Sequence, residues 1–306
     1  MNIKPENQTS LYGLNNHLNE FIDLYKREKL PNKILLSGSK GIGKSTLSYH
    51  LINYVLSLGE NYTYDINKSF INSKNVSFKL IQNKSSPNFT LIDIQPNKKS
   101  IDISQIRELI INMNKSSFNS KPRFILIDNI EFLNLNSVNA LLKILEEPTY
   151  NTYFILINNN KKILSTIKSR CINYKISISN QVALEICNKL LDENTYNLIN
   201  KDLLDYYFTP GKIYRLINFS KENNINLKTL NLKDLLLLII NESHYKNETS
   251  LRFIIYDLIE LFLLNKFSLE YSNFFTHFIK RLEKVKKFNL DDESLFLELK
   301  TKLLNG

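Results

Sequence analysis

Cysteine, glycine and long apolar runs are all scarce in this chain. Two cysteines, Cys171 and Cys187, among 306 residues exclude a disulfide framework and a four-thiolate zinc site. The longest purely apolar run in the C-terminal half, LLLLII at 235–240, falls far short of the ~20 residues that a membrane span needs. The opening MNIKPENQTS has no apolar core of the kind a secretory signal carries, and the cytoplasm is the expected compartment. Only seven glycines are present, in a chain crowded with Lys, Asn and Ile, the bias that compositional drift in a coding sequence produces.

What is present suffices for two or three domains. At 43% hydrophobic the chain can bury a sizeable interior, which argues against wholesale disorder. The net charge of +10 points towards nucleic acid. Given the lysine-rich bias, about half of that signal is assigned to solvated surface.

Leu14, Leu18, Phe21, Ile22 and Tyr25 recur at helical spacing. NKILLSGSKGIGKSTLSYHLINYVLSL then reads as a buried strand, a glycine-bearing loop and a helix with Leu47, Leu51, Ile52, Val55 and Leu56 on its apolar face. Residues 59–88 are polar and aperiodic, an insertion without a structural signal. FTLIDI (89–94) predicts a strand and SQIRELIINM (104–113) a helix capped by Ser104. RFILID (123–128) predicts a buried strand, SVNALLKILEE a helix that Pro148 stops, and TYFILIN (152–158) another buried strand. Apolar strands alternating with helices predict a parallel sheet covered on both faces. Beyond residue 178 the strand signal ends and the pattern is helical, with a second boundary near KENNIN (221–226).

GSKGIGKS fits G-x-x-x-x-G-K-[ST]. Glycines permit a tight loop whose amides wrap a phosphate chain at a helix N-terminus, where the helix dipole favours anions. Lys44 would reach the β- and γ-phosphates and the Ser45 hydroxyl would take a Mg²⁺ position. The bland alternative is a glycine turn with a stray lysine, and the strand before and helix after argue against it. The expected nucleotide cradle is Gly38, Ser39, Lys40, Gly41, Ile42, Gly43, Lys44, Ser45 and Thr46. Asp128, ending a second buried strand, could hold the Mg²⁺ of a bound ATP, or could be a turn aspartate. Asn129 follows it, and a neutral amide cannot serve as a general base. Glu131 could substitute, though the two-residue shift past the strand end favours its facing solvent. Arg170 in STIKSRC is a surface arginine by chemistry alone, or else a cation offered to a neighbouring subunit's phosphate.

The P-loop, NSVNALLKILEEPT and TIKSRC, in that order, closely resemble the AAA+ clamp-loader ATPases. The match covers roughly residues 5–216. The non-acidic residue after Asp128 and the stretch IDISQIREL suit the delta-prime branch of that family better than its tau/gamma motor branch. The resemblance implies an α/β P-loop domain (1–178), a small helical lid (179–223) and an all-helical collar (224–306). It implies ATP and Mg²⁺ as cofactors, and as partners the tau/gamma and delta subunits of a hetero-pentameric ring, the sliding clamp and primer–template DNA, with no membrane. It places the trans arginine finger on Arg170, sensor 1 on Asn158 and sensor 2 on Lys212, where arginine is more usual. Many relatives carry a four-cysteine zinc module after the P-loop. Residues 50–122 here contain no cysteine, so no zinc site is expected. Cys171 is expected to be a small apolar residue. The resemblance, with the P-loop intact and the base missing, implies binding without hydrolysis. The rivals are a tau/gamma-type motor using Glu131 and, more weakly, a small P-loop kinase.

Overall fold

The computed structural model describes residues 4–95, 98, 100–113, 119–147, 150–204, 208–244, 249–266, 272–288 and 293–304. The chain divides into two compact units, Met1–Val182 and Ala183–Gly306.

The first unit is built on a five-stranded sheet in the order β2-β3-β4-β1-β5, with every neighbouring pair parallel. In chain order its elements are α1 (Asn15–Lys26), β1 (Lys33–Ser37), α2 (Lys44–Leu56), α3 (Val76–Gln82), β2 (Phe89–Ile92), α4 (Ile103–Met113), β3 (Arg123–Ile127), α5 (Leu135–Glu146), β4 (Thr152–Asn158), α6 (Ser165–Lys168) and β5 (Ile172–Lys175). Side chains alternate across the sheet, and both faces are covered. Ile34, Leu36, Phe124, Leu126, Ile155 and Ile157 pack in one cluster with Leu18 and Phe21 of α1 and Leu47 and Leu51 of α2. Leu35, Ile125, Ile127, Phe154 and Leu156 pack in the other with Ile106 and Leu109 of α4 and Leu141 and Leu145 of α5. Burial on both faces is why these strands read as unbroken apolar runs.

Three local expectations need amendment. The helix predicted from Ser104 begins at Ile103, so Ser104 lies inside its first turn. Asp102 precedes the helix, and its amide meets Gln105 Oε1 at 3.3 Å, the reciprocal half of a capping box. The predicted strand over 89–94 stops at Ile92, because Asp93 turns its side chain to Asn129. β5 carried no readable signal: as an edge strand it is largely exposed, so it lacks the apolar run that marks the other four. α5 ends at Glu146; Pro148, expected to stop it, lies outside the described residues.

The stretch 59–88 is ordered by polar contacts. Asn75 caps α3 by accepting from the Phe78 amide at 2.6 Å and accepts from Asn53 Nδ2 at 3.0 Å. Glu60 accepts from Ser77 Oγ at 2.5 Å and pairs with Lys121 at 3.0 Å. On α2 the fully buried His50 ring lies with Nδ1 2.8 Å from the Tyr64 hydroxyl. Burial pushes the His50 pKa down from 6.5 to about 4, against a weaker opposing backbone bond from Gln8. The unfolded chain therefore binds a proton that the folded chain refuses between those two values. Stability is fully present above pH 6.5 and should fall by roughly 3 kcal/mol as pH drops towards 4. Urea midpoints at pH 7.5 and 5 should show about two thirds of this loss, and His50→Gln should remove its share of the slope.

The second unit is helical: α7 (Asn180–Leu191), α8 (Thr195–Leu198), α9 (Lys201–Leu204), α10 (Pro210–Glu222), α11 (Leu232–Asn241), α12 (Thr249–Lys266), α13 (Ser272–Phe288) and α14 (Glu293–Leu299). One apolar cluster runs through it from Leu184 to Leu299, drawing on Leu203, Ile213, Leu235, Ile259, Leu282 and Phe296. Asn231 caps α11 by accepting from the Asp234 amide at 2.9 Å. No helix among the described residues is long and apolar enough to cross a membrane.

Candidate nucleotide-binding site

The site grows out of the C-terminal end of β1, which lies between β4 and β5. Ser37 ends the strand, and residues 38–43 form a loop that delivers Lys44 as the first residue of α2. Gly38 presses against the neighbouring chain: a Cβ there would lie 2.4 Å from the Ile176 carbonyl oxygen. Gly41 and Gly43 have φ of 84° and 103°, values that side-chain-bearing residues resist. Three of the seven glycines in the chain thus sit where only glycine fits. The first-turn amides of α2 lack intrahelical partners and open into the loop, a ready anion cradle. Ile42 is buried in the core, Lys40 is exposed, and Ser45 and Thr46 are half-buried at the helix start.

Lys44 is buried. Its ammonium donates to the carbonyls of Gly38 and Ser39 at 2.8 Å each and to Asn159 Oδ1 at 3.0 Å. Burial lowers its pKa to about 8, opposed by the Asp128 and Glu131 carboxylates. Ser45 Oγ donates to Asp128 Oδ2 at 2.5 Å, which joins the two groups expected to hold Mg²⁺. Burial raises the Asp128 pKa above its ordinary value, against the Ser45 bond, so a cation at this point would relieve an unfavourable charge.

Around this core the ends of β2, β3 and β4 supply a polar network. Asn129, in the left-handed region at φ 56°, donates through Nδ2 to Asp93 Oδ1 at 2.7 Å. Its Oδ1 accepts from Asn159 Nδ2 at 2.9 Å. Asn159 Nδ2 also donates to Glu131 Oε1 at 2.9 Å, and its amide donates to Glu131 Oε2 at 3.3 Å. Every polar group of the Asn159 side chain is therefore engaged inside the site. Glu131, expected to face solvent, instead lies close enough to Lys44 to act on its charge, and the intervening Asn159 fixes it there.

The structure brings Gly38–Thr46 and Asp128 together and adds Asp93, Glu131 and Asn159. It does not bring in the side chain of Asn158. That amide closes its own turn, donating to the Lys161 carbonyl at 3.0 Å and accepting from the Lys161 amide at 3.1 Å. Its neighbour Asn159 holds the position next to the lysine. Three consecutive asparagines, 158–160, were the only hint, since strand alternation gives no parity beyond the last strand residue. Arg170 lies elsewhere in the first unit, bonded to Thr166 and Glu146. Lys212 is in the second unit, on α10, in an ion pair with Asp257 of α12 at 2.7 Å. Burial pushes the Cys171 thiol up to about 11, which keeps it protonated.

A parallel sheet whose first strand feeds a glycine loop into a helix N-terminus, with a lysine at the start of that helix reaching back to the loop carbonyls and a serine–aspartate pair beside it, defines a P-loop protein. Residues 13–180 match the family described as DNA polymerase III, delta subunit, and the chain belongs to that family, within the clamp-loader group. It is 29% identical over 282 residues to the DNA polymerase III subunit gamma of Buchnera aphidicola subsp. Schizaphis graminum (strain Sg), covering 89% of this chain and 69% of that one. It is 30% identical over 152 residues to the DNA polymerase III subunit delta' of Buchnera aphidicola subsp. Baizongia pistaciae (strain Bp), covering 47% of this chain and 44% of that relative. Among solved structures, a DNA polymerase III gamma subunit-related protein from Thermotoga maritima superposes with a TM-score of 0.48 at 18% identity, covering 90% of this chain and 96% of the other.

Proposed function

We propose that this chain is the delta-prime-type, stationary member of a clamp loader. It holds ATP with Mg²⁺, turns over little or none of it, and supplies Arg170 to a neighbouring subunit's ATP. Its setting is a hetero-pentameric ring with tau/gamma and delta subunits that opens the sliding clamp for primer–template DNA, in the cytoplasm. Residues 179–223 act as the lid and 224–306 as the collar.

The observation that carries this reading is the bonding of Asn129. The position next to Asp128 holds an amide whose donor is given to Asp93 and whose acceptor is given to Asn159. It can neither take a proton from water nor turn freely to position one. The binding half is complete: the α2 amides and Lys44 would hold the phosphates, and Ser45 with Asp128 would hold the metal. Bound ATP with its Mg²⁺ supplies the charge that the buried Lys44 and Asp128 compensate. Asn159, through its bond to Lys44, takes the sensor-1 role first assigned to Asn158. Lys212, paired with Asp257, would have to exchange that partner to serve as sensor 2. DNA contacts would be made by lysines to phosphates, with affinity falling steeply in salt.

A second reading is favoured by two features. Glu131 is part of the Lys44 network, and the gamma relative aligns with most of the chain. A tau/gamma-type motor could use Glu131 as its base. Glu131→Gln separates the two. In the stationary chain the variant leaves an already negligible turnover where it was. In a motor it removes turnover by a factor of about 10²–10⁴, the usual worth of a general base.

A further inference from the structure

We infer that Glu146 is a positioning residue for Arg170, holding the guanidinium in the orientation in which it meets the neighbouring subunit's phosphate. The inference rests on the trans role proposed above for Arg170. It follows from how the two side chains are anchored.

Glu146 is the last residue of α5, a helix fixed at both ends. At its start Asn134 accepts from the Ser137 amide at 2.8 Å. Along its length Val138, Leu141 and Leu145 are buried in the core. At its end the Leu145 carbonyl accepts from Lys33 Nζ at 3.0 Å, which ties the last turn to the beginning of β1. The Glu146 backbone is therefore held by its neighbours, and the carboxylate reaches Arg170 from a rigid anchor. Arg170 follows α6, a single turn of helix that gives its side chain little support. Nη1 donates to the Thr166 carbonyl at 3.0 Å, and Nη2 donates to Glu146 Oε1 at 2.5 Å. One contact comes from its own turn and the other from a separate, rigid element. Together they define the plane of the guanidinium.

The bland alternative is an ordinary surface ion pair. The side chains are 31% exposed for Arg170 and 54% for Glu146, and pairs so exposed contribute little to stability. Stability is thus a poor reason for the contact, and orientation is the effect left over. An arginine carries five N–H donors in a rigid fork. Among the described residues two are used here, and the other donors of the fork are the ones that would meet an acceptor outside the chain. A long side chain already held in its working rotamer gives up less freedom when it binds, and small misplacements of a reacting group lower rates by up to ~10²-fold.

Four measurements decide the matter. In the assembled complex, Glu146→Gln should lower kcat of the ATPase about tenfold with KM for ATP and the thermal midpoint unchanged. Glu146→Asp, which keeps the charge on a shorter arm, should restore part of the loss. The double variant Glu146→Gln/Arg170→Ala should be no worse than Arg170→Ala alone, because both act through one guanidinium. In the full-length chain by itself, the ¹⁵N resonances of the Arg170 guanidinium should show restricted rotation that Glu146→Gln releases. If Arg170→Ala collapses turnover while Glu146→Gln matches the native protein, the positioning role is wrong and the trans role stands. Unchanged turnover in Arg170→Ala overturns both. A guanidinium equally mobile with and without Glu146 overturns the positioning role whatever the kinetics show.

Discussion

Replacing Arg170 by alanine is expected to lower ATP turnover at the neighbouring subunit's site by about a thousandfold, the lower end of what an arginine finger contributes. The same change should leave the chain's own affinity for ATP untouched, because Arg170 is bonded to Thr166 and Glu146 and takes no part in the Lys44 network. Folding should be nearly unaffected, since the ion pair it loses is solvent-exposed and worth little. The DNA-dependent ATPase of the assembled complex, an ATP titration of the isolated chain and a urea midpoint test the three statements separately. Turnover equal to that of the native complex would remove Arg170 from the mechanism.

The second large effect is expected at Lys44. Its ammonium is buried and held by two carbonyls and Asn159, a set of partners that a polyphosphate would replace or supplement. Removing one member of a buried, hydrogen-bonded charge pair costs roughly 2–5 kcal/mol, which corresponds to a loss of about 30-fold to several thousandfold in affinity. Lys44→Ala should therefore bind ATP at least 30-fold more weakly by this reckoning. The pKa of Lys44 adds a pH signature. In the free chain burial brings it to about 8, while a bound phosphate chain would raise it. Binding above pH 8 must then take up a proton, so ATP affinity should be flat below that value and fall as pH rises beyond it, approaching tenfold per unit. Isothermal titrations between pH 7 and 9.5 in buffers of different ionisation enthalpy would reveal both the slope and the proton uptake. A flat profile would mean that Lys44 does not meet the phosphates as a cation.

The parts of this molecule that the sequence displays are those in which one local requirement dictates residue type. β1, β3 and β4 are buried on both faces, so their apolar runs were visible. The P-loop was visible because Gly38 cannot carry a Cβ and Gly43 cannot comfortably take another residue, which preserves the spacing in a chain otherwise poor in glycine. The parts that were hidden depend on distant segments meeting. Asp93 gives no sign of its role until β2 lies beside β3 and turns it towards Asn129. Glu131 looked like a surface residue because the turn after Asp128, with Asn129 in the left-handed region, redirects the chain in a way that no periodicity describes. The choice between Asn158 and Asn159 lies one residue past the end of a strand, where alternation stops being a guide. β5 went unseen because its side chains are largely exposed and form no apolar run, and 59–88 because its order comes from bonds such as Asn53–Asn75 and Glu60–Lys121.

The function proposed above requires a phosphate cradle that holds ATP in a chain that lacks the means to hydrolyse it. The most direct test is one experiment on the purified full-length chain with Mg²⁺ and ATP, reading bound nucleotide and released phosphate from the same sample. Close to one ATP per chain is expected, with phosphate release far below the ~10 s⁻¹ of a typical enzyme. Release approaching that rate would show that Glu131 or another group completes the site and that the chain is a motor. Absence of bound nucleotide would show that the cradle formed by Gly38, Lys44 and Ser45 does not hold ATP.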